Sequence, residues 1–272
     1  LTGIKVYNLG VSGETSNEIA LRQGGIKMYV DNTFEVGYDD SVEVSIVDEY
    51  GNPVYMADFS AYGYVEPHEP DVVYINDDMF KITGTEETGL YICRYSEDNV
   101  DYDAFTTVYE GTEVITKASY ERKGDILILE IGSNGGWDNY RQLISQYDAM
   151  IQNAGCDYYI IVGDTDDPGT SIADTSQGFC NEDGTYIGVG DTAWEATLSE
   201  AYGEHFINMR TYLIENGLKD AGLRTTSADY RGFRRGRISK QLRSDWTHFN
   251  SYGYYAKGLA IYEKGVELGY WK

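Results

Sequence analysis

Asp245-Trp246-Thr247-His248 sets a carboxylate three residues before an imidazole, just ahead of a helix-like run from Asn250 to Leu268. On a turn that opens a helix, this spacing can put the carboxylate behind the ring, where it orients the imidazole and stabilises its protonated form. A base and its orienter are two of the three parts of a nucleophile–base–orienter relay. Two other histidines are present. His68, between Glu66-Pro67 and Glu69-Pro70, reads as an exposed loop residue. His205 precedes a short strand and reads as structural. His248 is the candidate general base, and the plain alternative is a solvent-facing histidine at a helix start.

Two further spots can carry chemistry. Gly132-Ser133-Asn134 ends an apolar run, Asp125–Ile131, at the place where open α/β sheets put ligands. The Asn134 amide can donate to a developing oxyanion, and Gly135-Gly136 lets a substrate approach the backbone. Gly10-Val11-Ser12-Gly13 ends the extended run Ile4–Leu9 and can present a backbone N–H. For both, an ordinary strand-ending turn is the alternative.

The elements that must position these residues fall into three zones. Residues 1–25 read as strand, loop and short helix near 16–23, with Thr15-Ser16-Asn17-Glu18 as a capping box and Gly24-Gly25 as a stop. Residues 26–118 contain short β-rich runs (Val42–Val47, Val54–Ala57, Val72–Ile75, Leu90–Tyr95, Phe105–Tyr109, Glu113–Thr116) separated by turn signals such as Asn76-Asp77-Asp78. That pattern predicts a small antiparallel barrel or sandwich. From residue 119, buried strands at Asp125–Ile131 and Tyr158–Val162 alternate with helices at Asn139–Ala154 and Trp194–Tyr202 and a short strand at Phe206–Met209. Such alternation predicts a mostly parallel sheet covered by helices.

Composition narrows the partners. The 272 residues carry a net charge of −24, which argues against nucleic acid. Residues 26–118 alone hold 21 acidic and 4 basic side chains, a balance of −17. No apolar run is long enough to span a membrane. Cys93, Cys156 and Cys180 have no metal-ligand spacing and read as buried or half-buried thiols. Asp101-Tyr102-Asp103 and Asn181-Glu182-Asp183-Gly184 lack the remaining ligands of a calcium loop. No glycine loop with a lysine cradles phosphate, so no cofactor and no metal are expected.

Taken together, Asn8-Leu9-Gly10-Val11-Ser12-Gly13-Glu14-Thr15, Gly132-Ser133-Asn134 and Asp245-Trp246-Thr247-His248 resemble the second, third and fifth blocks of the SGNH (GDSL-type) hydrolases, in the family's order. The resemblance covers residues 1–25 and 119–272 and leaves 26–118 as an inserted antiparallel β module. It implies a three-layer α/β/α sandwich with a mostly parallel sheet, and metal-free acyl transfer. His248 would be the general base, Asp245 its orienter, and the Gly13 N–H and Asn134 side chain two oxyanion donors. The implied substrate is an acylated carbohydrate or other small ester, with a lipase or thioesterase of the same fold as a further alternative.

The family's first block, Gly-Asp-Ser with the nucleophile, has no counterpart in these residues, so no nucleophile is assigned. Gly163-Asp164-Thr165 echoes it but follows the third block, and reads as a substrate-side loop. Ser12 is no substitute, because its neighbour Gly13 already fills the oxyanion role. Either the chain is a fragment beginning at the second strand, or it is a nucleophile-less relative that binds carbohydrate or acts as a scaffold. The abrupt start favours the fragment. Loss of a central strand would leave unpaired sheet edges, through which copies of the chain could pair as a homo-oligomer. Many tyrosines and few lysines suit a secreted or cell-surface protein. Trp137, Trp194 and Trp246 can stack on sugars or serve as ordinary core aromatics. Arg231 to Arg237, with Lys240 and Arg243, forms a basic stretch that either recruits an acidic substrate or pairs with the acidic β module.

Overall fold

Asn76 and Asp77 occupy the left-handed region (φ 53° and 67°), the pairing that a two-residue type I′ hairpin requires and that Asn and Asp tolerate best. They join β5 (Val72–Ile75) to β6 (Asp78–Thr85), with Ile75 opposite Asp78. The hairpin belongs to a computed structural model describing residues 2–38, 40–55, 72–95, 105–168 and 191–271. His68, Cys180 and both calcium-like segments lie outside the described residues, as does most of the Gly163–Gly190 loop.

Two compact units divide the chain: Tyr7–Asp125 with Ser145–Cys156, and Leu1–Val6 with Ile126–Ile144 and Asp157–Lys272. The first unit opens with α1 (Ser16–Arg22), capped by Thr15 and Glu18 in a reciprocal capping box. Gly24, at φ +73°, ends it, and a Cβ there would meet Ser119 and Asn153 at 2.3–2.4 Å. The strands β1 (Met28–Val30), β2 (Phe34–Val36), β3 (Val42–Val44) and β4 (Ile46–Asp48) follow, then β5, β6 and β7 (Gly89–Arg94). The short β8 (Thr106–Val108) and β9 (Glu113–Thr116) lead into α2 (Lys117–Glu121).

Seven strands form one antiparallel sheet in the order β3-β7-β6-β5-β9-β1-β4, while β2 and β8 pair as a ribbon. The two end strands, β3 and β4, are halves of one segment bent at Ser45, so the segment pairs β7 through one half and β1 through the other. This shared segment makes the sheet nearly closed and barrel-like. Alternation puts Met28, Val30, Phe80, Ile82, Leu90 and Ile92 inside one core. Arg22 and Glu14 form a buried ion pair in this unit, and Thr116 donates its hydroxyl to the Arg22 carbonyl at 2.5 Å.

In the second unit β10 (Leu127–Leu129), β11 (Tyr159–Val162) and β12 (Phe206–Ile207) run parallel in the order β10-β11-β12. The helix α3 (Tyr140–Ala154) begins in this unit and continues in the other. Then come α4 (Ala193–Tyr202), the pair α5 (Met209–Tyr212) and α6 (Leu218–Asp220), α7 (Ser227–Phe233) and α8 (Ser251–Glu267). Ile160, Val162, Leu213, Leu242, Phe249 and Ala256 belong to one core, which fixes α8 and the segment before it against β11.

The expected three-layer α/β/α sandwich with a mostly parallel sheet is not what forms. Among the described residues three strands are parallel, against seven in the antiparallel sheet. The run Ile4–Leu9, expected as a strand, makes none, and Val6 is 80% exposed. A strand needs a neighbour's N–H and C=O groups, and none pairs with this run among the described residues. The run Asp125–Ile131, expected to be buried on both faces, is an edge strand with Ile128 exposed. No helix of the described residues is long and apolar enough to cross a membrane.

Candidate functional site

The Asp245–His248 loop is built on a closed neck. Arg243 and Phe249 form an antiparallel bridge, and the Ser244 N–H donates to the His248 carbonyl at 2.9 Å. Asn250 ties this neck to α8. Its Oδ1 accepts from the Tyr252 and Gly253 N–H groups as the helix cap, while its Nδ2 donates to the carbonyls of Gln241 and Arg243. Gly253 must stay bare, since a Cβ would lie 2.2 Å from the Leu242 carbonyl. The loop is therefore set by α8 rather than hanging free.

Inside the loop the Asp245 carboxylate is fixed from both sides. Its Oδ1 accepts from the Thr247 N–H at 2.9 Å and the His248 N–H at 2.7 Å. That turn leaves Oδ2 aimed at His248 Nδ1, 2.7 Å away. The backbone N–H of His248, then the imidazole and the Thr247 N–H, hold the Asp245 pKa down to about 2. An ionised carboxylate only accepts, so Nδ1 carries a proton, and in the neutral ring Nε2 is the nitrogen with the lone pair. The His248 side chain is 67% exposed, and no described residue hydrogen-bonds Nε2. A base with its lone pair open to an incoming hydroxyl is the chemical outcome.

A second set of groups connects this loop to the strand ends. After β11 the chain runs Gly163-Asp164-Thr165-Asp166, and after β10 it turns at Gly132-Ser133-Asn134. The Ser133 hydroxyl donates to Asp164 at 3.0 Å. The Thr247 hydroxyl donates to Asp166 at 2.8 Å. Arg243 clamps both loops, donating to the Thr247 carbonyl at 2.8 Å and the Thr165 carbonyl at 2.5 Å. Burial first, and the neighbouring Asp166 charge second, push the Asp164 carboxyl up to about 7 against the Ser133 hydrogen bond.

A carboxyl with a raised folded pKa contributes stability that is complete below its unfolded value and is lost as pH rises through the folded one. Between roughly pH 4 and 7, wild-type stability should therefore fall relative to Asp164→Asn by at most one proton's slope, ~1.4 kcal/mol per pH unit. Urea unfolding of both proteins across that range measures the difference. A constant difference would contradict the assignment.

Of the sequence-predicted site residues, the structure brings Asp245 and His248 together. Asn134 lies exposed on the turn after β10, in the same unit. Gly13, at φ +84°, belongs to the other compact unit. Trp194 is buried against Trp137, whereas Trp246 is 65% exposed between the two dyad residues. His205 stacks on Tyr159, and its Nδ1 meets the Tyr270 hydroxyl at 2.8 Å. Among the described residues no three His, Cys, Asp or Glu side chains converge as metal ligands.

Sequence reasoning gave Asp166 and Thr247 no role, and read Arg243 as part of the basic stretch rather than as a clamp on the loop. Asp166 and Thr247 are 81 residues apart, and no local pattern marks such a bond. No protein-family model, curated protein or solved structure matches the chain.

Proposed function

We propose that Asp245 and His248 are the base half of an SGNH-type ester-hydrolase relay acting on acylated carbohydrate in an extracellular setting. The observation carrying this proposal is the 2.7 Å Nδ1···Oδ2 contact made by a carboxylate whose other oxygen two backbone N–H groups already hold. A hydroxyl at Nε2 would give its proton to the ring and attack an acyl carbon. The imidazolium, stabilised by Asp245, would then return the proton to the leaving alkoxide. By the family resemblance, the Asn134 side chain, in the same unit as the dyad, would donate to the oxyanion. The assignment rests on the site and not on the fold, since one chemistry recurs on unrelated folds.

Hydrolysis of 4-nitrophenyl acetate tests the base. With no serine assigned to Nε2, turnover should be slow, on the order of 10⁶-fold below a complete relay, and should drop to background in His248→Ala. A rate indifferent to His248 rejects the base; fast hydrolysis abolished by the same substitution rejects the missing nucleophile.

One observation favours a second reading as a carbohydrate-binding protein. Trp246 offers an exposed ring between the dyad residues, while Nε2 has no hydroxyl partner among the described residues. Binding of acetylated polysaccharide with no turnover at all would select it.

A further inference from the structure

Residues 224–243 hold seven of the chain's 21 basic side chains and a single acid, Asp229, in a protein with 45 carboxylates. Asp229 is already committed. It closes the capping box of α7 with Thr226 and accepts from the Ser239 hydroxyl at 2.6 Å and Gln241 Nε2 at 2.9 Å. Arg231, Arg234 and Arg235 are exposed and make no ion pair among the described residues. Three guanidinium groups beside one another with no ion pair among the described residues are unexpected where carboxylates outnumber cations two to one.

The basic segment is also rigid and joined to the dyad. Buried Arg210 donates to the Gly236 carbonyl at 2.8 Å, which fixes the bend after α7. Arg237 pairs with Asp167 at 3.4 Å, while the adjacent Asp166 accepts from Thr247 at 2.8 Å. Successive residues of one loop thus fasten the arginine segment on one side and the dyad loop on the other. Exposed aromatic rings border both parts. Tyr230, 60% exposed, sits one turn before Arg234 on α7, and Trp246 is 65% exposed beside His248.

We propose that this face binds a carboxylated saccharide, a uronate-type polymer, and presents its ester groups to the dyad. Guanidinium forks match carboxylates in bidentate geometry, and aromatic rings take the apolar faces of sugar rings. A nucleic acid would meet the same groups, but its dense phosphates would face the field of a −24 chain. Spaced sugar carboxylates need only local pairs, within a Debye length of ~8 Å. The catalytic part of this proposal rests on the dyad acting on esters, while the binding part does not.

Calorimetric titration at low salt with oligogalacturonate, cello-oligosaccharide and single-stranded DNA tests it. Oligogalacturonate should bind, and added NaCl should weaken it. Arg231→Gln/Arg234→Gln/Arg235→Gln should lower affinity about tenfold or more, and the triple Lys variant should keep salt-dependent binding. Absent binding, equal binding of the neutral sugar, tighter binding of DNA, or an unchanged triple Gln variant each overturns the proposal. Acidic-sugar binding without any His248-dependent hydrolysis would leave the binding part standing and remove the hydrolase reading together with the presentation of esters to the dyad.

Discussion

Arg210→Met lowers the stability of the protein by about 3–5 kcal/mol, the cost of breaking a buried ion pair from one side. Arg210 is 1% exposed and reaches Glu195 through two hydrogen bonds, Nε to Oε1 at 2.7 Å and NH2 to Oε2 at 2.5 Å. Its third nitrogen holds the Gly236 carbonyl. Removing the guanidinium leaves the Glu195 carboxylate buried without a counter-charge and the Gly236 carbonyl without a donor. Glu195 also completes the capping box of α4 by accepting from the Thr192 N–H at 2.7 Å, so it cannot turn away. Adding Glu195→Gln removes the orphaned charge and keeps the cap, because Gln serves that position as well. The double variant should therefore be more stable than Arg210→Met alone, and urea unfolding of the cycle gives the coupling. Strictly additive losses would show that charge desolvation is not the dominant cost.

Asp245→Asn changes which nitrogen of His248 carries the proton. In the variant Oδ1 can still accept from the Thr247 and His248 N–H groups, which places the amide NH2 against Nδ1. Nδ1 must then accept, the proton moves to Nε2, and the lone pair that would serve as base is gone. The His248-dependent rate should fall by roughly 10²–10⁴-fold, the usual worth of a positioned general base. Nitrogen NMR of the imidazole reads the tautomer directly and needs no turnover. The wild type should show a protonated Nδ1 and the variant a protonated Nε2; the same tautomer in both would remove Asp245 as the orienter. Stability should change little, since both side chains are solvent-exposed.

The basic face and the dyad fail in separable ways under these tests. Loss of the three arginines should weaken capture of an acidic polymer and leave the tautomer untouched. Loss of Asp245 should do the reverse. Arg243 differs from both, because its guanidinium holds two backbone carbonyls, Thr165 and Thr247, and so positions the loop rather than meeting a substrate.

Several features were legible in the sequence, and all of them are short-range. Thr15 and Glu18 cap α1 because both partners lie within four residues, and Asp245 finds His248 for the same reason. The turn at Asn76-Asp77 fixes the register of β5 against β6 through its own backbone preference. Charge, too, is written locally, and the arginine run after residue 224 needed no fold to be seen.

Pairing over long distances was decided only by the tertiary structure. The runs at Asp125–Ile131 and Tyr158–Val162 do lie side by side and parallel. Nothing in them indicated that the parallel sheet would hold three strands among the described residues, or that Ile4–Leu9 would pair with none of them. An apolar run is the same run whichever neighbour takes its N–H groups. Hence an antiparallel barrel-like sheet, nearly closed through the segment around Ser45, forms in place of the parallel layers the sequence suggested. In the same way the sequence determined that an aspartate stands behind His248. The tertiary structure alone brought Asp166 to Thr247, Arg243 to Thr165 and Ser133 to Asp164, because each bond spans at least 31 residues and forms only once the strands and α8 are packed.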